Sequence, residues 1–357
     1  MTNGFLTKLK VNIKRLLGRI VYSYIYLCRK LKNIKLLYFT PNTRSKKHKK
    51  SFSAITRKHW RLVSTVIILI LGLYYGIGAT ISSKINNNLE KEYQTTSTNT
   101  QNTLQALAYV IKEQVDDQAW TPALPMIFPA AILDNLPNFQ LGAKNTANFF
   151  IKKLARYYKN NNLKEAGKLL DYNPTIWLFS QTKENKLAPG SAKQYRNALA
   201  YIKTAIEEDF KQHNYTTDDL LYILQNTSTL LNKKINQLDK HIHEHSSELL
   251  DFRADDYFYN TLGSTYTLHY LLSAVVKDYQ DQIVFAEQYE NMTSALYFLE
   301  NAIKLKPISV KNSAPNDSYG ANHLYYLAYY LSRAQYYIQE MYHALSAVNT
   351  MEQDHEN

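Results

Sequence analysis

From Leu62 to Ser83 the chain reads LVSTVIILILGLYYGIGATISS, a run without a charged residue and apolar over most of its length. As a helix these 22 residues extend ~33 Å, which matches a hydrocarbon core of about 30 Å. A core helix of that length normally keeps one polar face, whereas here only Ser64, Thr65, Thr80 and the closing serines interrupt the pattern. A cleaved signal sequence begins close behind a short basic stretch, and this run is preceded by 61 residues. The pattern therefore predicts a single membrane-spanning helix over 62–83.

On its N-terminal side, residues 5–39 place Leu9, Ile13, Leu16, Leu17, Ile20, Tyr24, Leu27, Leu31 and Ile34 at helical spacing among lysines and arginines. That is the pattern of an amphipathic helix lying in a membrane surface. Its uncharged stretch, Ile20–Cys28, is too short to span. After Pro41 the sequence RSKKHKK reads as a solvated tether. On the C-terminal side, residues 84–103 are polar and rich in Thr and Asn, the composition of a stalk.

From Leu104 onward the periodicity is helical. Leu107, Ala108, Ile111 and Val115 fall at three- and four-residue steps up to Trp120. Pro122, Pro125, Pro129 and Pro137 then predict an extended, irregular segment over 119–138. A helix follows from about Phe139, with Phe150, Ile151, Leu154 and Tyr158 on its stripe, and a short one over 163–170. Ser191 caps a helix carrying Tyr195, Leu199, Ile202, Ile206 and Phe210. Thr216-Thr-Asp-Asp219 reads as a capping box opening a long helix through Leu220, Leu224, Leu231, Leu238 and Ile242. Further helices are predicted at 255–280, 284–305 and 320–350, with breaks at Pro307 and in the Pro315-Asn-Asp-Ser turn. No segment shows strand alternation, so the fold class is all-α: one N-terminal transmembrane helix followed by a multi-helix bundle with short connections.

Charge sharpens this division. Residues 1–61 hold 17 Lys and Arg and no acid, which leaves 25 basic and 30 acidic residues from Leu62 onward. By the positive-inside rule the arm is cytoplasmic and the body exported. Anionic headgroups attract such an arm by about 1 kcal/mol per basic residue, so nucleic acid is not an expected partner. Lys outnumbers Arg there, against an organelle transit peptide. Cys28 is the single cysteine, so no intrachain disulfide forms. The 30 tyrosines fit a biased genome composition better than a dedicated binding surface.

Three fragments carry a resemblance. LDNLPN at 133–138 with Gly142, DDYFY and GST within 255–265, and ANHLYYLAYYLSRA at 321–334 resemble, in that order, an uncharacterised proteobacterial inner-membrane family, the domain-of-unknown-function family 2333. The resemblance runs from about Thr96 to the C-terminus and implies a cytoplasmic end, one span and a helical periplasmic region in the bacterial inner membrane. It implies no activity. The chain departs from the family's pattern at Phe139-Gln140, where members tend to have Trp-Glu, and at Asn148-Phe149, where they have Arg-Asp. It departs again around Asn260 and Leu262, where they carry Glu and Arg.

The candidate polar residues are Asp134, Asn135, Asn138, Asp255, Asp256, Asn322, His323 and Arg333. Asn and Asp around a proline commonly bond their own turn, and paired acids favour a helix N-terminus. Asn322 and Arg333, eleven apart, share a helix face while His323 points about 100° away. Arg333 reads either as an exposed surface arginine or as the partner of Asp255 or Asp256 that locks the C-terminal helix onto the bundle. His241-x-His243-x-His245 puts two imidazoles, not three, on one helix face, too few for zinc. No P-loop, GxGxxG or GxSxG is present. The domains are accordingly a basic arm (1–61), a span (62–83), a stalk (84–103) and a helical periplasmic domain (104–357). The expected role is structural, a membrane-anchored module in contact with the lipid bilayer and an envelope protein, without cofactors. Two alternatives stand beside it, an envelope hydrolase or transferase whose site assembles only in three dimensions, and a ligand-binding or sensory module.

Overall fold

A computed structural model of the chain describes residues 46–82, 84–85, 87, 89, 101–181, 187–210, 213–246, 251–307, 309–313 and 322–356. The amphipathic helix expected over 5–39, Cys28 and the Pro315 turn lie outside them.

Helix α1 spans Lys46–Ser82. It begins earlier than the apolar run, so the expected tether is helical from Lys46. The physical reason lies in the sequence, since neither Gly nor Pro occurs between Pro41 and Gly72. Within α1, Leu62–Thr80 is long and apolar enough to cross a membrane. Its side chains are bare, with Ile68 at 68% and Leu73 at 59% exposure.

By packing the chain divides into Met1–Leu69 and Ile70–Asn357. In the second unit, α2 (Asn102–Lys112) runs into a π-turn over Glu113–Asp117. Then come α3 (Asn135–Tyr157), α4 (Asn161–Leu170), a hairpin of β1 (Phe179–Gln181) and β2 (Leu187–Pro189), and α5 (Ser191–Thr204). The remaining helices are α6 (Thr217–His245), α7 (Ala254–Asp278), α8 (Gln280–Phe285), α9 (Tyr289–Ile303) and α10 (His323–Glu356).

Further sequence expectations change. Ser191 does not cap α5: Gly190 is the N-cap, and the Ser191 hydroxyl, drawn into the preceding turn, donates to the Asn173 and Ile176 carbonyls. The helix expected over 284–305 begins at Tyr289, after the separate α8. The hairpin was not predicted, because strands of three residues are too short to display alternation; they pair antiparallel with Phe179 opposite Pro189. Helix α3 starts at Asn135 rather than Phe139, with Pro137 in its first turn, where no N–H is missed. The supposed stalk is in part a strap. Ile85 and Leu89 pack on the core, and Asn87 Nδ2 donates to the Ile303 carbonyl at 2.7 Å.

The architecture turns on the crossing of α3 and α7. A Cβ at Gly142 would stand 1.9 Å from the Asn260 carbonyl oxygen, and one at Gly263 would stand 2.0 Å from that of Phe139. Only two glycines permit such close backbones. The Thr267 hydroxyl donates across the crossing to the Ala143 carbonyl at 3.2 Å. Phe139, Phe258, Tyr266 and Leu271 are buried around it. Helix α2 lies on α7, α4 between α3 and α5, and α10 against α6 and α9.

Candidate functional site

The glycine crossing has a chemical consequence at its N-terminal side. It sets the first turn of α3 beside the first turns of α7, so that Asn138 Nδ2 donates to Asp256 Oδ1. Asn260, one turn further along α7, reaches back to the Asn138 carbonyl at 3.4 Å. From α6, Lys234 Nζ donates to Asn260 Oδ1 at 2.8 Å. Asn138, Asp256 and Asn260 line a cleft of about 210 Å³ together with Gln237, Tyr257 and Thr261.

Its electrostatics are uneven. Burial, and then the charge of Asp134, push the Asp256 carboxyl above the usual range, while the Asn138 hydrogen bond pulls it back. Asp255 is raised by burial and by Asp134 and Asp256. Burial, and then Lys233, lower Lys234 to about 8. Asn260 thus links the two: it lines the cleft with Asp256, whose carboxyl is raised, and accepts from Lys234, whose amine is lowered. Asn260 occupies the Lys234 amine.

Beside the cleft is a buried latch. His241 Nε2 lies 2.7 Å from Asp251 Oδ2, with both side chains 3% exposed. Asn312 donates to the same carboxylate at 2.9 Å, and the Arg253 N–H to its other oxygen at 3.0 Å. Burial opposes ionisation of Asp251, but these hydrogen bonds prevail and hold its carboxyl below the ordinary value. Tyr257 stacks on the His241 ring at 4.2 Å. The latch joins α6, the start of α7 and the irregular segment at Asn312 before α10. His245 does share a face with His241, but it is engaged with Arg253 at 3.0 Å. Among the described residues no group of three or more His, Cys, Asp and Glu could hold a metal.

The predicted polar residues separate. Asn138 and Asp256 meet in the cleft; Asp134 is exposed just before α3, and Asn135 is that helix's first residue. Asn322 caps α10, accepting the Tyr325 N–H at 2.8 Å and donating to the Ser313 carbonyl. His323 bonds the Lys311 backbone through both its own N–H and its ring Nδ1 at 3.0 Å. Arg333 meets neither of its two readings, an exposed arginine or a partner of Asp255 or Asp256. Its guanidinium lies over Phe298, Tyr336 and Tyr337 at 5.3, 5.6 and 5.5 Å, because the tyrosines three and four residues on share its helix face. Lys234, Gln237 and Thr261 were missed. Lys233-Lys234 reads as a solvated pair, and only burial distinguishes its second member.

The other concentration of charge is an open basic groove of about 530 Å³ between α3 and α4, lined by Arg156, Lys159, Lys164 and Lys168. Lys152 there meets Asp171 at 2.7 Å with both side chains well exposed, an ordinary solvated pair. No protein-family model, curated protein or solved structure matches the chain.

Proposed function

We propose that this chain is a membrane-anchored helical module of the bacterial inner membrane, with its basic arm in the cytoplasm and its helical domain in the periplasm, acting through contacts with an envelope protein. The observation that carries the reading is the bare apolar stretch Leu62–Thr80. Leaving one large apolar side chain in water forfeits ~1.5–3 kcal/mol, and a bilayer removes that cost for all of them together. The 17 basic residues before it support the orientation. The resemblance to the domain-of-unknown-function family 2333 belongs to the same proposal.

The test is a pair of reporters fused behind Asn357, alkaline phosphatase and a green fluorescent protein, with membrane fractionation. An integral membrane product with active phosphatase supports the reading; fluorescence alone, or a product wholly in the soluble fraction, overturns it. Crosslinking in intact cells then identifies the partner.

The enzyme reading has one specific observation in its favour, the raised carboxyl of Asp256 in a cleft whose Asn260 holds the lowered amine of Lys234. Lys234→Met and Asp256→Asn distinguish the two. Under the structural reading both variants retain the crosslinked partner and complement a deletion. Against the sensory reading, the apolar space between Leu104, Leu154, Phe210 and Tyr279 measures about 20 Å³, enough for a single water.

A further inference from the structure

Positive charge in the helical domain is gathered on one pair of helices. Between Lys152 and Lys168 six residues are basic and one, Glu165, is acidic, whereas the rest of the chain from Leu62 onward holds 19 basic against 29 acidic residues. Along α3 and the turn that ends it, Lys152, Arg156 and Lys159 follow at steps of four and three and so share a face; Lys164 and Lys168 do the same on α4. The two rows line the open groove of about 530 Å³. A hollow of about 370 Å³ continues it, sharing Lys152, Arg156 and Asp171 and adding Lys153.

The groove is shaped by the backbone on both sides. A Cβ at Gly167 would stand 2.7 Å from Lys152 Cγ, so the lysine stem crosses onto α4 only because that position lacks a side chain. Its amine then reaches Asp171 at 2.7 Å, whose other oxygen accepts from Asn148 Nδ2 at 2.7 Å. At the far end Lys159 stands at φ 52°, a conformation that glycine adopts without strain, and the chain keeps a long cation there instead. Asn160 caps α4 by accepting the Leu163 N–H at 2.8 Å, and with Asn161 it lines the groove. The positive end of that helix's dipole therefore opens on the same space.

Nearby acids leave the groove positive. Asp171 is taken by Lys152 and Glu165 by Lys168, while Asp209 accepts from Asn160 and Asn162, each at 2.8 Å. Among the described residues no carboxylate pairs with Arg156, Lys159 or Lys164, and all three are exposed. Cations four residues apart on a helix are separated by ~6 Å of rise, inside the ~8 Å over which charges repel at physiological salt. A concave site lined by one sign of charge concentrates the counter-ion that relieves this repulsion.

We infer that the groove between α3 and α4 binds an anion carrying two or more phosphate groups. More than one group is needed because the unpaired cations are spread along the rows rather than converging on a point. Phosphate fits because the Arg156 guanidinium and the first turn of α4 offer the donors that its oxygens take together. The volume lies in the range of roughly 300–1,000 Å³ that small ligands occupy, whereas an acidic polypeptide docks on a larger surface. The site is independent of the membrane reading of α1.

The experiment follows hydrogen exchange by mass spectrometry in the full-length chain, its apolar helix taken up by phosphatidylcholine nanodiscs. Sodium tripolyphosphate, phosphatidylglycerol vesicles and polyglutamate are added in separate titrations. Exchange is read segment by segment, so anions held by the basic arm are scored apart from those held by residues 152–168. Expected is saturable protection of 156–164 by tripolyphosphate, with a midpoint raised about fivefold in each of Arg156→Gln, Lys159→Gly and Lys164→Gln. Lys159→Gly relieves a strained turn, so its weaker binding comes with a higher melting temperature, not a lower one. Lys240→Gln, which removes an exposed lysine beside Glu244 on α6, leaves the midpoint where it was. Protection by the vesicles alone, weakened by the same three variants, assigns the phosphate to a lipid headgroup and likewise supports the site. No protection from either phosphate probe overturns it, as does polyglutamate acting at a lower concentration than both. A midpoint that the groove variants move no further than Lys240→Gln does overturns it too.

Discussion

Gly142 and Gly263 are where a single methyl group would matter most. With carbonyl oxygens about 2 Å from the place of a Cβ, Gly142→Ala must push α3 and α7 apart, at ~1–3 kcal/mol or more. Gly72→Ala and Gly76→Ala, which meet nothing within 4 Å, should be neutral in the same thermal melts. Buried lysines give a pH signature. Burial lowers both Lys144 and Lys234 from 10.5 to about 8. Below pH 8 folded and unfolded chains both hold these protons, and the burial penalty is fully present. Above it the folded chain releases them first, so stability rises with pH. The rise should run from about pH 8 to 10, where unfolded tyrosines begin to ionise while buried Tyr266 and Tyr279 do not, with the opposite sign. Lys144→Met, which removes the amine donating to the Leu170 carbonyl, should flatten that slope in melts taken across the window.

At the level of elements, the ends of helices carry the specific chemistry. The Asp278 carboxylate accepts from the backbone and side chains of Asn102 and Thr103 at 2.7–2.9 Å, closing the start of α2 from the far end of α7. Asp278→Ala should expose that turn to hydrogen exchange and cost ~1–2 kcal/mol. Nothing in the sequence links positions 176 residues apart, so this cap could not be read from it. The capping box of α6 could, because both of its partners lie within four residues: Thr216 Oγ1 accepts the Asp219 N–H and Asp219 answers to the Thr216 N–H. Lys159 and Glu287 end their helices at φ 52° and 55°, a conformation that glycine adopts without strain. Lys159→Gly should accordingly stabilise the chain, by up to about 1 kcal/mol, measured by its melting temperature.

For the molecule as a whole, the bundle, the apolar helix and the breaks between helices were legible in the sequence, since each depends on local periodicity, proline or charge. Their boundaries moved where a local rule was read too strictly, as at Pro137 in the first turn of α3. The candidate site was legible only in part. Asp256 and Asn138 were singled out, but that they touch depends on two glycines that let helices distant in sequence approach. Arg333 went to aromatic rings instead of a carboxylate because its own helix offered them first. The sequence alone determined which segments are helical and which one is apolar enough to leave water, because helix periodicity and transfer free energy are properties of short stretches. The tertiary structure alone decided that Lys234 faces Asn260, that Ile85, Asn87 and Leu89 lie on the domain, and that the Phe128 and Trp177 rings meet, because burial and proximity are set by how the helices pack and not by any one of them.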